Sequence, residues 1–191
     1  EPAGHPREEP FGALSAVEGG GLCGDPLLVG DVIGKVNGPG VCGVENAVSL
    51  RQVGDITLSQ AATVNCKTAR ALRAWVEAGA VPSIGSRGGG IGELKVAAHY
   101  ACRTRNHRKG AKISEHGKGN AIDISAIRLR DGSEITLLEG WDSRRDGAAL
   151  RQMWSAACGP FGTVLGPESD RWHKDHFHFD TASYRSGSYC R

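Results

Sequence analysis

The sequence has 191 residues, of which 23 are basic and 21 acidic, so its formal net charge is only +2. It contains no block of lysine and arginine typical of nucleic-acid binding and no apolar run long enough to cross a bilayer. A chain of this length can bury a sizeable core as one domain. We therefore expect a single domain without a nucleic-acid partner or a transmembrane segment.

The segment 1–21 is rich in proline, glycine and acidic residues, and we expect it to form a flexible N-terminal arm. The folded domain should then cover 22–191. Its first part predicts short strands at Leu27–Ile33 and Val44–Leu50.

A helix is predicted from about Asn65 to Ala78. Asn65 is a suitable N-cap, Leu72 and Trp75 follow at helical spacing, and Gly79 is the expected stop. We interpret Trp75 as a core residue, since packing is the commoner role of a tryptophan on an apolar helix face.

The second half of the chain predicts mainly strands. A strand is expected at Ile91–Tyr100, and a hairpin should join Ala121–Leu129 to Glu134–Leu138 through an Asp-Gly turn. Further elements are expected downstream: a helix over Ala148–Cys158 capped by Asp146, and a short strand at Gly162–Leu165. The result is an α+β fold, a small antiparallel sheet with helices packed on one side.

Six cysteines are widely spaced and form no C-x-x-C motif, which argues against zinc fingers and thioredoxin-type sites. Cytosolic chains with free thiols seldom carry such a set, so we predict three disulfides in a periplasmic or otherwise exported protein. The sequence does not fix their pairing. The residues are Cys23, Cys42, Cys66, Cys102, Cys158 and Cys190.

The segment around the last histidines has a period of two. Phe177 and Phe179 alternate with His176, His178 and Asp180, which predicts a strand with one apolar and one polar face. Paired imidazoles on such a face are suited to binding a metal, to moving protons, or to one of each.

His116 and Asp123 lie far upstream of this strand, separated by a loop that contains Gly117 and Gly119. If Asp123 begins a strand, the loop can bring His116 back towards it. These two residues and one later imidazole, either His176 or His178, would form a three-ligand zinc site with a position left for water. The pattern alone leaves the choice between the two histidines open.

These motifs resemble one known family. The residues S-E-H-x3-N-A-x-D-I, A-C-x2-F-x-T-V-L-G-P, H-x-D-H-F-H-x-D and Y-C-R are similar to the bacterial extensin-like C-terminal domain family; here they stand at 114–124, 157–167, 173–180 and 189–191. The H-x6-D element followed by H-x-H also resembles the zinc peptidase superfamily of lysostaphin-type, D-Ala-D-Ala peptidase and Hedgehog domains. The resemblance implies an α+β domain with a zinc site in a groove on the sheet.

The match to the peptidoglycan endopeptidase branch implies a role for each histidine. By that match the zinc ligands are His116, Asp123 and His178, the general base is His176, and His173 supports it. Arg103 and Arg105 are further candidates, for binding a substrate carboxylate; they are suggested by the chemistry of arginine and not by the resemblance. Asp180 is a candidate to orient the ring of His178.

The function implied is a zinc-dependent endopeptidase that hydrolyses peptide cross-links in peptidoglycan, acting as a monomer. One alternative is a zinc D,D-carboxypeptidase that trims terminal D-Ala. The D-Ala-D-Ala peptidase branch carries a catalytic Glu shortly before its last zinc ligand, and the absence of a Glu before His178 disfavours this alternative. Another is a non-catalytic, zinc-stabilised wall-binding module. A structural zinc prefers four protein ligands, so a three-ligand set disfavours this second alternative.

Overall fold

The computed structural model describes residues 20–184 and 186–191. Most of the proposed N-terminal arm, residues 1–19, lies outside this part. The described part contains nine strands in one sheet, in the order β1-β2-β3-β4-β5-β8-β7-β9 with β6 paired to β5. The strands are β1 (Leu28–Asn37), β2 (Gly43–Val53), β3 (Ile56–Asn65), β4 (Ile91–Ala98), β5 (Ala121–Leu129), β6 (Glu134–Thr136), β7 (Thr163–Leu165), β8 (Phe177–Asp180) and β9 (Tyr189–Cys190).

The sheet is mixed and larger than the small antiparallel sheet predicted. Strand β3 runs parallel to β4, and β7 runs parallel to β9, whereas the other strand pairs are antiparallel. The β3–β4 pair is parallel because a helical crossover, which begins directly after β3, returns the chain to the same end of the sheet.

The crossover begins as predicted but ends later. Helix α1 (Cys66–Trp75) is capped by Asn65, whose side chain accepts a hydrogen bond from the Thr68 N–H at 2.9 Å. A π-helical turn (Val76–Ala80) and helix α2 (Val81–Ile84) then continue it to Gly85. The predicted stop at Gly79 is therefore wrong. A Cβ atom there would lie 2.7 Å from the Cβ of Ala156, so this glycine allows another helix to pack closely.

In the described ranges, the remaining α-helices are α3 (Leu137–Gly140) and α4 (Gly147–Ala157). Asp146 occupies the N-cap position of α4 but does not cap it; its carboxylate pairs with Arg87 at 2.5 Å instead. The predicted hairpin is confirmed, since β5 and β6 pair on either side of the Asp-Gly turn.

The hydrophobic core lies between the sheet and the helices. Phe177 and Phe179 of β8 are fully buried there, and the ring of Phe179 lies 5.0 Å from that of Trp75 on α1. The indole N–H of Trp75 donates to the Met153 carbonyl at 2.8 Å, so its polar atom is satisfied. Burying each such ring contributes about 2–3 kcal/mol. Because β8 turns both phenylalanines to the core, its other residues face the opposite side of the sheet.

Three disulfides tie the described elements together, which confirms the prediction from the cysteine count. They join Cys23 to Cys66, Cys42 to Cys102 and Cys158 to Cys190. Such bridges are consistent with an oxidising environment. In the described ranges, no helix combines the length and apolar character needed to span a membrane.

Candidate metal centre

The pairing of β5 with β8 brings two of the predicted ligands together. Asp123 lies directly opposite His178 in the antiparallel register, so both side chains project from the same face. The Nδ1 atom of His178 is 2.9 Å from Oδ1 of Asp123. Their neighbours Ile122 and Phe177 point to the core and are fully buried, which holds the polar residues on the opposite face.

A one-turn 3₁₀ helix (Glu115–Lys118) delivers the third predicted ligand. Ser114 precedes the turn, and its hydroxyl accepts the His116 N–H at 3.4 Å. Gly119 has a φ of +67°, a conformation that reverses the chain into β5 and that glycine adopts without strain. The Nε2 atom of His116 then lies 3.1 Å from Asp123 Oδ1 and 3.2 Å from His178 Nδ1.

The three converging atoms of His116, Asp123 and His178 are all lone-pair donors. The Nδ1 atom of His116 faces the carbonyl oxygen of His99 at 2.8 Å, so this nitrogen must carry the proton. In the same way, Nε2 of His178 donates to the carboxylate of Asp180 at 3.2 Å. In the neutral rings, His116 Nε2 and His178 Nδ1 are therefore bare and face a carboxylate oxygen. A bound metal ion would satisfy all three atoms at once, whereas without one a proton on His178 Nδ1 can bridge to Asp123.

This triad of His116, Asp123 and His178 could hold a metal ion. Its ligand atoms lie 2.9–3.2 Å apart. A tetrahedral zinc ion holds its ligand atoms about 3.3–3.4 Å apart, so the set fits after an expansion of a few tenths of an ångström. Two imidazoles and one carboxylate suit zinc and also iron(II). All three residues are buried, and each imidazole is oriented by an acceptor on its far nitrogen, as metal-binding histidines require.

The electrostatics of the triad favour opposite charges. Burial alone would raise the pKa of Asp123, but His178 and His116 outweigh it and hold this pKa well below its usual range. Burial alone would lower the pKa of His178, but Asp123 and Asp180 outweigh it and raise the pKa to about 9. The site thus attracts positive charge.

The other two histidines of the motif lie beside the triad. The Nε2 atom of His176 is 3.7 Å from Asp123 Oδ2, and the His173 ring centre is 5.2 Å from that of His176. Each ring is backed by a carboxylate on Nδ1: Asp175 at 2.7 Å from His176 and Asp170 at 2.8 Å from His173. Both Nε2 atoms are therefore the ones left to exchange protons.

The two predicted substrate-binding arginines are placed differently. The guanidinium of Arg103 lies 4.0 Å from Asp123 Oδ2, close to the triad. Arg105 instead donates to the hydroxyl of Tyr184 at 2.6 Å, and that hydroxyl donates to the buried carboxylate of Glu115. Arg105, Tyr184 and Glu115 therefore form a clamp that fixes the segment after β8 to the turn carrying His116.

The clamp also shifts the ionisation of its members. Burial would raise the pKa of Glu115, but hydrogen bonds from Asn120, Tyr184 and Lys118 outweigh it and lower the pKa. Burial and the bond to Glu115 raise the pKa of Tyr184. Glu115 is thus held as a carboxylate, and Tyr184 keeps its proton.

The triad opens into a groove of about 610 Å³. Nineteen of the residues that the structure describes line it: Arg103, Arg105, Asn106, His107, Lys112, Ser114, Glu115, His116, Asp123, Thr163, Leu165, Asp170, Trp172, His173, His176, His178, Asp180, Tyr184 and Tyr189. Every residue predicted as a ligand, as a catalytic group or as a substrate-binding group is among them. The groove therefore unites the candidate chemistry of the chain.

Sequence reasoning missed several residues of the groove. Asp170 stands three positions before His173, a spacing that could have suggested the pair. Asp175 lies outside the groove lining; it is exposed and bonds Nδ1 of His176. Tyr184 carries no sequence signal, because its partner Glu115 is distant along the chain.

The chain matches a known family model. Residues 28–191 match the model described as extensin-like protein C-terminus, and this match covers all the groove residues. No curated protein and no solved structure matches the chain.

Proposed function

The chain belongs to the family of extensin-like protein C-termini, and within this family we propose that it is a periplasmic, zinc-dependent peptidoglycan endopeptidase that hydrolyses peptide cross-links. One observation carries the proposal. The lone pairs of His116, Asp123 and His178 converge at the floor of a groove, and the free Nε2 atom of His176 lies 3.7 Å from Asp123. This geometry supports the peptidase resemblance seen in the sequence.

In this proposal His116, Asp123 and His178 hold the metal. A bound zinc ion supplies a Lewis acid for a peptide carbonyl and lowers the pKa of water towards ~7. The other steps fall to the side chains of the chain itself.

His176 is the proposed general base. Asp175 fixes the proton on Nδ1, so Nε2 is the atom that accepts a proton from water and returns it to the amine that leaves. The carboxylates that line the groove are otherwise engaged: Glu115 with Tyr184, Asp170 with His173, and Asp180 with His178. Asp123 belongs to the triad, so a histidine is the available base.

His173 and Arg103 complete the proposed machinery. Asp170 orients His173 beside His176, where a second imidazole supports the proton transfer. The guanidinium of Arg103 stands near the triad and is suited to negative charge, either a substrate carboxylate or the charge that develops on the carbonyl oxygen.

The proposal is tested with purified muropeptides and chain loaded with zinc. We expect cleavage of cross-linked muropeptides and no release of D-Ala from uncross-linked pentapeptides. Release of D-Ala alone would support a carboxypeptidase instead. Binding of zinc with no cleavage of either substrate would overturn the enzyme proposal and favour a wall-binding module.

A further inference from the structure

In the part of the chain that the structure describes, the exposed aromatic side chains all line one groove. In the residues that the structure describes, three aromatic side chains are more than a third exposed: Trp172 at 45 %, Tyr184 at 51 % and Tyr189 at 38 %. All three line the groove. Apolar residues left exposed by chance are scattered singly over a surface, whereas a cluster marks a binding site.

The position of Trp172 is fixed by groups of the site. The carboxylate of Asp170 accepts the Trp172 backbone N–H at 2.7 Å and also orients His173. The guanidinium of Arg171 lies 4.6 Å from the centre of the Trp172 ring system, a cation–π distance that stabilises its orientation. The ring is therefore held next to a proposed catalytic histidine, with nearly half of its surface exposed.

Tyr184 is held in a comparable way. Its hydroxyl is engaged with Glu115, and the guanidinium of Arg105 lies 5.4 Å from its ring centre. Because the ring is fixed at both its edge and its face, it loses little conformational entropy when a ligand stacks on it.

The rest of the groove lining is polar. Leu165 is the one aliphatic hydrophobic residue among the described lining residues, whereas Asn106, Ser114 and Thr163 provide hydrogen-bonding groups. A ligand that fits must combine flat apolar faces with a polar edge. A pyranose ring does so, since its C–H faces are apolar and its hydroxyls point outwards. An aliphatic side chain would need an apolar pocket instead.

We infer that the aromatic rim formed by Trp172, Tyr184 and Tyr189 binds a sugar ring of the glycan strand that carries the peptide. This inference deepens the proposed function, on which it rests for the identity of the substrate. In this inference the peptide binds at the triad and the glycan binds at the rim, so both parts of one glycopeptide bind in the same groove.

The first test measures binding of an N-acetylglucosamine tetramer by calorimetry, with chain that is loaded with zinc and with chain treated with chelator. We expect binding in both forms, weakened about tenfold or more in Trp172→Ala. Trp172→Phe keeps a ring and should retain most of the affinity. Leu138→Ala, which removes an exposed side chain outside the groove, should bind like the wild type. No binding by the wild type, or equal binding by Trp172→Ala, would overturn the inference.

The second test separates the rim from the reaction. Trp172→Ala should raise KM for a cross-linked substrate that carries its sugars and leave KM unchanged for the same peptide without sugars. An equal increase for both substrates would mean that the ring contacts the peptide, which also overturns the inference. Tetramer binding without any cleavage would leave the rim intact and overturn only the proposed function.

Discussion

Asp123 and His178 face each other across strands β5 and β8, with 2.9 Å between the carboxylate oxygen and the imidazole nitrogen. Backbone hydrogen bonds fix this register, so both ligand atoms are positioned by the sheet rather than by a loop. His116 is added from a capped turn. A site built on rigid elements is already close to the geometry that a metal requires.

Removal of His116 should abolish metal binding. We expect about one zinc ion per chain in the wild type and a nearly metal-free His116→Ala, because two remaining ligands cannot hold the ion tightly. Elemental analysis for zinc and iron measures this and also identifies the metal. His107→Ala is the matched control, since this histidine lines the groove outside the triad. Equal metal content in wild type and His116→Ala would contradict the site.

Asp180→Asn should weaken metal binding without abolishing it. The carboxylate of Asp180 accepts the Nε2 proton of His178, and an amide at this position can turn an N–H towards the same nitrogen. The ring then loses the acceptor that keeps Nδ1 free for the metal. We expect the affinity to fall about 10–100-fold, as measured by competition with a chromogenic chelator. An unchanged affinity would show that Asp180 does not orient the ring.

His176→Ala should separate metal binding from turnover. The ring lies beside the triad and is not needed to hold the ion, so the metal content should stay at the wild-type value. Loss of a general base lowers kcat about 10²–10⁴-fold. The assay is cleavage of cross-linked muropeptides, with metal content determined on the same sample. Loss of the metal would instead make His176 a ligand.

Arg103 and Arg105 should give contrasting variants. Arg103→Ala should lower kcat/KM and leave the melting temperature nearly unchanged, because its guanidinium contacts Asp123 only at the long distance of 4.0 Å. Arg105→Ala should lower the free energy of unfolding by about 1–2 kcal/mol, because it removes the hydrogen bond that the guanidinium donates to the Tyr184 hydroxyl. Thermal unfolding and kinetics on both variants decide this. Equal melting temperatures would contradict the clamp.

The disulfide between Cys42 and Cys102 should affect the site as well as the fold. A Cβ atom at Gly117 would lie 3.0 Å from Cys42 Sγ, so the turn carrying His116 packs directly on this bridge. The double variant Cys42→Ala/Cys102→Ala should lose about 4 kcal/mol of stability for a loop of this length. Its metal affinity should fall too. The double variant Cys158→Ala/Cys190→Ala is the control for a general loss of stability.

Much of the local structure could be predicted from the sequence because its signals are local. The Asn65 cap, the Asp-Gly hairpin and the alternation around His178 each depend on neighbours a few residues apart. Strand β3 was missed although Ile56, Leu58 and Val64 alternate, because small and polar residues at its centre weaken the hydrophobic signal.

The arrangement of the site could be predicted only in part. The residue types and the H-x-H spacing indicated a metal triad, but the pairing of β5 with β8 joins segments 55 residues apart. Nothing local records that register, or the partners that Asp170 and Tyr184 find. Gly79 shows the same limit for the fold. Glycine often ends helices, but here it lies within the helical segment and allows α4 to pack closely, a contact that is not visible in the local sequence.

The position of β8 in the sheet also determines when, during folding, the metal site forms. His178 is 62 residues downstream of His116, and its strand is inserted between β5 and β7. Before β8 has been synthesised, the chain therefore contains only two of the three ligands, His116 and Asp123, and these cannot bind an ion tightly by themselves. Tight binding of the metal therefore requires that β8 has already paired with β5. Under the proposed function, the chain would become an active hydrolase only after its folding is complete.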